Sequence, residues 1–311
     1  MTLYLNEEQV QRHLRMEDLI PAMEKSLIDF SAGKVTQPVR SGITVESPGG
    51  FFFMMPALSE GLGVKIVTFY PTNADRGIPT HMATIFLVNP ETGEPLAVMD
   101  GRLITEMRTA AVSAVATKLL AAPDAKVLAI LGSGVQARSH LEALRFVRNF
   151  HDVRVWSRTP EHAERFAKEF GAKATSAEVA VRDADVVVTA TSSRLPVLKG
   201  SWLKSGSHVN AVGACRPDWR ELDDEAMTNV VFVDSREGAV KESGDVILSG
   251  AKIYAEIGEA LAGSLPSRRD ETTVFKSLGM AVEDITAAML VYREAKQNTL
   301  GERPIVNVPD Y

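Results

Sequence analysis

The sequence predicts an α/β protein built from a dinucleotide-binding domain of the Rossmann type and a second, discontinuous α+β domain. An apolar run, Val127–Leu131, ends at Gly-Ser-Gly-Val-Gln-Ala, and a helical pattern follows directly. Strands and helices then alternate, which predicts a parallel sheet with right-handed crossovers. Before residue 100, β-like runs succeed one another without helices, which indicates an antiparallel or mixed sheet.

The glycine turn at residues 132–137 is the strongest functional signal in the chain. In a Gly-x-Gly-x-x-Ala turn the first glycine allows a sharp bend, the second lets the backbone approach a pyrophosphate, and the small third residue allows close packing. The pyrophosphate then lies at the free N–H groups of the helix. The alternative is a glycine turn that binds nothing. The cofactor contacts predicted here are Gly132, Ser133, Gly134, Val135 and Gln136.

The next strand, within residues 153–159, indicates which cofactor binds. An NAD enzyme usually carries Asp or Glu at the end of this strand to bind the ribose 2′-hydroxyl. This chain has Ser157, Arg158 and Thr159 instead. Guanidinium and hydroxyl groups would hold a 2′-phosphate, so we expect NADPH, with NADH a weaker possibility. The alternative for Arg158 is a solvated surface arginine.

Composition restricts the class of protein further. The chain has 311 residues, 45% of them hydrophobic and 24% charged, which fits a two-domain globular protein. A net charge of −6 argues against nucleic acid as a main partner. The single cysteine, Cys215, forbids an internal disulfide and suits a reducing compartment. With neither a secretory signal nor a transmembrane run in the sequence, we expect a cytoplasmic protein.

The remaining elements follow in chain order. Asn6 begins a short helix, and a second helix is expected over residues 16–31. The run 104–118 has small residues and is apolar almost all round, which predicts a buried helix between the domains. Residues 281–295 are helical and could return to the first domain, and residues 303–308 look extended. The sequence therefore predicts two domains. The first consists of residues 1–119 together with 281–311, and the second, of the Rossmann type, consists of residues 120–280. The β-like runs are 39–45, 50–55, 64–70, 82–88, 96–99, 186–190, 208–212 and 230–233.

Three cations before residue 120 are candidates for substrate binding: Arg40 and Lys65 in β-like runs, and Arg108 in the first turn of the buried helix. Cations in such places need an anionic partner. A substrate carboxylate is one, since a guanidinium binds it in bidentate fashion. The alternative is an ion pair with an internal carboxylate, for which the candidates are Asp100, Glu106 and Asp284.

Three further residues are weaker candidates. His81 could act as an acid or base, although such a histidine more often caps a strand end. Asp218 and Glu221 follow a strand at the edge where ligands bind in open α/β sheets, but capping of a helix start is the more ordinary interpretation. The sequence shows no metal-ligand spacing and no nucleophile elbow.

Taken together, these residues make the chain resemble the ornithine cyclodeaminase/mu-crystallin family, most of all its mu-crystallin ketimine-reductase branch. The blocks that carry the resemblance span most of the chain, and together they are far more specific than a glycine motif. They are Gln37–Arg40, Lys65–Tyr70, Ala97–Gly101, Arg108–Ala114, Leu131–Ala137, Ala211–Asp224, Lys241–Val246 and Thr273–Asp284.

The resemblance implies a homodimer joined through the sheet of the first domain, which makes that domain the substrate and dimerisation domain. It also implies that Arg40 and Lys65 act in catalysis and that Arg40, Lys65 and Arg108 hold the substrate carboxylate and the cofactor phosphates. The cofactor contacts expected beyond the glycine turn and Ser157–Thr159 are Arg108, Thr189, Ala190, Val212 and Leu278.

Two departures from the cyclodeaminase pattern bear on the reaction. The catalytic aspartate of the cyclodeaminases aligns with Cys215, and their glutamate before Met-Pro is absent from Phe53-Met54-Met55-Pro56. Without these carboxylates, cyclodeamination lacks its acid/base group and its amine anchor. Phe53 favours an apolar substrate ring, and Cys215 is expected to be a small buried residue near the nicotinamide.

The expected activity is therefore NADPH-dependent reduction of a cyclic ketimine carboxylate, with the proton supplied by Lys65 or by solvent. Two alternatives stay open. One is an NADPH-regulated binder of thyroid hormone, or a crystallin-like structural protein, as mu-crystallins are described. The other is an amino-acid dehydrogenase on the same scaffold, acting on an open-chain keto acid plus an amine.

Overall fold

The computed structural model describes residues 2–301, which form two sheets with helices packed against them. The extended segment predicted at residues 303–308 lies outside the described residues. The strands are β1 (Leu3–Leu5), β2 (Ser41–Val45), β3 (Gly50–Leu58), β4 (Leu62–Phe69), β5 (His81–Val88), β6 (Pro95–Asp100), β7 (Val127–Leu131), β8 (Asp152–Trp156), β9 (Lys173–Ala174), β10 (Val186–Thr189), β11 (His208–Ala211), β12 (Val230–Val233), β13 (Ile253–Glu256) and β14 (Thr273–Lys276).

The helices agree with the predicted ones in number and kind over the first part of the chain. Asn6 caps the first helix by accepting the backbone N–H of Gln9, as its sequence position predicts. The helices are α1 (Glu7–His13), α2 (Met16–Ser31), α3 (Arg102–Leu120), α4 (Val135–Arg145), α5 (Pro160–Phe170), α6 (Ala177–Val181), α7 (Arg236–Glu242), α8 (Gly244–Ser249), α9 (Ile257–Leu261) and α10 (Ala281–Gly301). Among the described residues no helix has the length and apolar character that crossing a bilayer requires.

The first sheet has six strands in the order β1-β6-β5-β4-β3-β2. Strand β1 pairs in parallel with β6, and all other neighbours are antiparallel, so the predicted mixed sheet is confirmed. Strand β1 was not predicted, because three residues are too few to show an alternating pattern. Lys65 pairs with Met55 on one side and Ile85 on the other. These three side chains therefore point to the same face, and all three are buried.

The second sheet has eight strands in the order β13-β12-β14-β11-β10-β7-β8-β9, and every pairing is parallel. This confirms the parallel sheet expected from the sequence, although β9, β13 and β14 were not predicted. In the register of the central strands, Leu131 is level with Thr189 and Trp156, and Ala211 is level with Thr189 and Lys276. The carboxyl ends of these strands therefore form one edge of the sheet, where ligands of open α/β sheets bind.

Helix α3 lies between the two sheets, as its apolar pattern predicts. Its alanines and small polar residues are buried along almost its whole length, and it packs on α4 and on strands of both sheets. Polar atoms inside this contact are paired: Asn210 Nδ2 donates to Thr117 Oγ1 at 2.9 Å, and His140 Nε2 lies 2.9 Å from Ser113 Oγ.

Helix α10 packs on β3, β4 and β5 of the first sheet and on α2 and α3. The last described part of the chain thus covers the sheet formed by the first hundred residues. The boundaries at residues 119/120 and 280/281 stay a prediction, while the return of residues 281–301 to the first sheet is seen directly.

Candidate active site

The glycine turn between β7 and α4 has the backbone that a pyrophosphate site needs. Gly132 has φ of +125°, and a Cβ there would overlap the carbonyl oxygen of Ala190, so only glycine fits. Gly134 precedes α4, and a Cβ on it would meet nothing within 4 Å. Among residues 2–301, no side chain caps the α4 N-terminus. Open space beside uncapped N–H groups fits a dinucleotide phosphate.

The other residues predicted at this turn lie around the same edge. Gln136 has a buried Oε1 with no hydrogen-bond partner among the described residues, so the turn holds an unused acceptor. The Thr189 hydroxyl donates to Glu221 at 2.8 Å, and the backbone N–H of Val212 donates to the Thr189 carbonyl at 2.9 Å. The Thr189 hydroxyl and the Val212 N–H are therefore already hydrogen-bonded within the protein, and these bonds stabilise the edge of the sheet.

The end of β8 carries the residues predicted to select the cofactor. Ser157, Arg158 and Thr159 follow the last strand residue, Trp156, and precede α5. Arg158 is exposed, and within residues 2–301 its guanidinium has neither an ion pair nor a hydrogen bond. Thr159 is the N-cap residue of α5, but its side chain makes no capping hydrogen bond. A guanidinium and a hydroxyl thus stand available where an NAD enzyme usually has a carboxylate.

Lys65 and Arg108 share one carboxylate in the interior. Lys65 Nζ lies 2.6 Å from Asp284 Oδ2, and Arg108 Nε donates to Asp284 Oδ1 at 2.9 Å. Arg108 Nη1 also donates to Glu283 Oε2 at 2.5 Å. All four side chains are buried. Asp284 was one of the three carboxylates proposed as internal partners, and Glu283 was not foreseen.

Burial sets the protonation of this cluster. It lowers the pKa of Lys65 to about 8, against the opposing effect of Asp284, and the nearby Arg108 lowers it further. It raises the pKa of Glu283 to about 7, although Arg108 opposes that change. Burial and then the charges of Lys65 and Arg108 lower the pKa of His81 to about 4. His81 is therefore neutral near pH 7, whereas Lys65 and Glu283 both have pKa values close to neutral pH.

Two expected positions need correction. Arg40 was predicted inside a strand but lies just before β2. Its side chain is held by the segment that follows β14, since Nη2 donates to the carbonyls of Leu278 at 3.0 Å and Gly279 at 3.2 Å. Arg108 was predicted in the first helical turn, but α3 begins at Arg102, which places Arg108 in the second turn.

Arg40 is separate from the Lys65–Arg108 cluster. Its Nε lies 2.9 Å from Oε1 of Glu242, and the two residues line a cavity of about 180 Å³ together with Met55 and Leu278. The carboxylates bound directly to the three predicted cations are thus internal ones: Asp284 and Glu283 for Lys65 and Arg108, and Glu242 for Arg40.

Phe53 lies in a row of aromatic rings on the inner face of the first sheet. Its ring stacks on Phe51 at 6.0 Å, Phe51 stacks on Phe69 at 6.4 Å, and Phe69 meets the edge of Trp219. Phe51 and Trp219 also line a second cavity of about 250 Å³. An apolar wall therefore runs from the buried cations toward the loop that follows β11.

The residues of that loop differ from expectation. Cys215 was expected to be buried but is exposed, because it lies in the open connection after β11. Glu221 does not start a helix: it is buried and accepts hydrogen bonds from Gly213 N–H and Thr191 N–H, each at 2.6 Å, so it ties two loops to the sheet edge. Asp218 is exposed, and its Oδ1 lies 3.9 Å from Nε of Arg216. Like Glu221, it does not begin a helix.

Two acidic residues of the site had no clear signal in the sequence. Asp234 follows β12 and accepts the backbone N–H groups of Ser235, Leu278 and Gly279. Its place at a strand end could have marked it as a site residue. Glu242 ends α7 among other charged residues, and nothing in the local pattern distinguishes it from a solvated glutamate.

A parallel sheet with an open glycine turn, combined with a buried lysine on the first sheet and a buried arginine on α3, is the arrangement of a nicotinamide-dependent oxidoreductase. The comparison with family models agrees: residues 1–299 match the model described as the ornithine cyclodeaminase/mu-crystallin family. The chain belongs to this family.

Individual relatives cover almost the whole chain. The ketimine reductase mu-crystallin of Mus musculus is 52% identical over 300 residues, covering 93% of this chain and 96% of that protein. The Thermococcus litoralis Delta(1)-pyrroline-2-carboxylate reductase, solved with NADH and L-proline, superposes with a TM-score of 0.92 at 39% identity, over 96% of this chain and 98% of that one. An archaeal alanine dehydrogenase dimer with bound NAD gives 0.91 at 35% identity, over 96% and 97%.

Gly279 provides a test of how tightly the cluster is packed. Its φ is +79°, and a Cβ there would overlap the Arg108 guanidinium. We predict that Gly279→Ala lowers the free energy of unfolding by about 1–3 kcal/mol more than a control with the same backbone strain, because Arg108 must leave its two carboxylates. The control is Gly263→Ala, with φ of +73° and nothing within 4 Å. Urea unfolding measures both, and equal losses would contradict the packing argument.

Proposed function

We propose that the protein is an NADPH-dependent reductase of cyclic ketimine carboxylates, converting the C=N bond to CH–NH. The observation that carries the proposal is the fully buried Lys65, held by Asp284 beside Arg108 on the face that carries the aromatic row. The family relationship supports it, since the relatives above include a ketimine reductase and a pyrroline-2-carboxylate reductase.

Each part of the site has a task in this reaction. Bound NADPH would supply the hydride to the imine carbon. Lys65, with a pKa of about 8, holds a proton near neutral pH and gives it to the imine nitrogen, which makes the carbon more electrophilic. Arg40 binds the substrate carboxylate, and Arg108 supports Lys65 and the cofactor phosphate. Phe53 and its aromatic neighbours bound the apolar side of the ring and exclude water.

NADPH rather than NADH is proposed from the end of β8. Arg158 is unpaired within the described residues, and Thr159 leaves its hydroxyl unused by α5. Both groups would bind a 2′-phosphate. Two structural relatives are complexes with NADH and NAD, so the fold alone does not select NADPH, and the proposal depends on Arg158 and Thr159.

An amino-acid dehydrogenase is the second candidate, favoured by the likeness to the archaeal alanine dehydrogenase. The two activities differ in whether the imine is preformed. A ketimine reductase oxidises NADPH with a six-membered cyclic ketimine carboxylate and no added ammonia. A dehydrogenase requires a keto acid, and its rate rises with ammonium concentration.

Hormone binding is a further proposal, and the apolar row of Phe51, Phe53 and Phe69 supports it. Tight thyroid-hormone binding with negligible turnover of a ketimine would favour it over catalysis. We also propose a cytoplasmic location, which the exposed, unpaired Cys215 supports because a reducing compartment keeps such a thiol reduced.

We propose that the working form is a homodimer joined through the outer face of the first sheet. That face alternates with the buried one and carries large apolar side chains that are unusually exposed. An exposed apolar surface of this kind marks an interface. Its most exposed members are Tyr4, Ile43, Met54 and Met82.

Replacing Lys65 tests the proton source. Lys65→Met is expected to lower kcat roughly 10²-fold or more, since it removes the general acid. In the unaltered protein kcat should fall as the pH rises through about 8, because Lys65 loses its proton there. Lys65→Arg keeps its proton, so that decline should disappear. An unchanged pH profile in Lys65→Arg would assign the proton to solvent.

Arg158 tests the cofactor proposal. Arg158→Asp should raise the KM for NADPH roughly 10- to 100-fold and leave the KM for NADH within a few-fold, because only NADPH carries the 2′-phosphate that the arginine would bind. Arg165→Asp, an exposed arginine in α5, serves as the control for added negative charge. Equal changes for both cofactors would contradict the assignment.

Met54 tests the dimer. Met54→Glu introduces a charge on the outer face of the sheet, so we expect it to shift the protein from dimer to monomer in sedimentation equilibrium. Val179→Glu, at another exposed apolar position, on α6, should leave the mass unchanged. A monomeric unaltered protein, or a dimeric Met54→Glu, would rule out this interface.

A further inference from the structure

The ion pair between Arg40 and Glu242 joins the two sheets at the 180 Å³ cavity. Arg40 directly precedes β2 of the first sheet, whereas Glu242 ends α7 beside the second. We infer that Glu242 is a displaceable internal counter-ion, which occupies Arg40 in the free protein and must leave it when a substrate carboxylate binds. The inference rests on the proposed function, because it takes Arg40 as the carboxylate-binding residue.

Arg40 needs an anion whether or not substrate is present. Its side chain is only 17% exposed, and two of its contacts are the neutral carbonyls of Leu278 and Gly279. A guanidinium this far removed from water is unfavourable without a carboxylate beside it. Glu242, itself 17% exposed, supplies that charge. A bound substrate carboxylate would supply the same charge at the same cation.

Asp234 is also near Arg40, but it cannot be the counter-ion that a substrate carboxylate displaces. One of its carboxylate oxygens accepts the N–H of Ser235 at 2.8 Å, and the other accepts those of Leu278 at 2.6 Å and Gly279 at 2.8 Å. These three bonds hold Asp234 to the backbone. The Glu242 carboxylate, in contrast, makes no hydrogen bond or ion pair with any other group among residues 2–301. Of the two, Glu242 is the one that can move.

The charge balance has a consequence for selectivity. A ligand that brings a carboxylate replaces Glu242 at Arg40 and leaves the cation neutralised. A ligand without a carboxylate gains nothing at Arg40 and leaves the internal pair in place. The observed affinity for a carboxylate is therefore reduced by the free energy of breaking the Arg40–Glu242 pair, and Glu242 sets KM.

The test uses two cyclic probes that do not depend on turnover, L-pipecolate and its neutral carboxamide, titrated by calorimetry into NADP⁺-saturated protein. Glu242→Gln keeps the size of the side chain and removes its charge. We expect it to bind L-pipecolate roughly three- to ten-fold more tightly, and to lower the KM for the ketimine in proportion. Affinity for the carboxamide should not change.

Glu178→Gln is the control, because Glu178 is an exposed glutamate on α6 that does not line the cavity and pairs with Arg182 at 2.8 Å. It should bind both probes as the unaltered protein does. Weaker or equal binding of L-pipecolate by Glu242→Gln, with its melting temperature unchanged, would show that Glu242 only positions Arg40 and would overturn the inference. If the unaltered protein neither binds L-pipecolate nor reduces a ketimine, the proposed function fails as well.

Discussion

The carboxylate of Asp284 is the group on which the interior of this protein depends. It contacts both Lys65 on β4 and Arg108 on α3, and all three side chains are buried. Two cations so close together and away from water would be highly unfavourable without it. Because Asp284 lies in the first turn of α10, that helix is fixed in position by charge as well as by apolar packing. Burial and the neighbouring Arg108 lower the pKa of Lys65, and the contact with Asp284 limits that shift.

Much of the fold could be predicted because its signals are local. The alternation of apolar strands and amphipathic helices after residue 126 follows directly from side-chain periodicity, and the turn at Gly132 requires a backbone that few other residues adopt. Strand β1 escaped prediction because three residues carry no period. The loop after β11 was harder still, since the exposure of Cys215 and the buried role of Glu221 depend on contacts with β10 and its following loop.

The site was only partly predictable for the same reason. Lys65 and Arg108 could be selected because a cation in an apolar run needs an explanation, and Asp284 could be suggested as their partner. Glu283, Asp234 and Glu242 are ordinary acidic residues in the sequence, and their importance comes from distant pairings. Glu242 and Arg40 are 202 positions apart in the chain, and no periodicity connects them. Resemblance to a family supplied roles for Arg40 and Lys65, but not the internal carboxylates that hold them.

The position of α10 also affects the order in which the chain can become native during synthesis. Lys65 emerges early from the ribosome, but Asp284 follows 219 residues later. Until then, the inner face of the first sheet lacks both its covering helix and the counter-charge for two of its cations. The second sheet, formed entirely by residues 127–276, has no such requirement. The nucleotide-binding half can therefore become native while the first hundred residues still wait for the end of the chain.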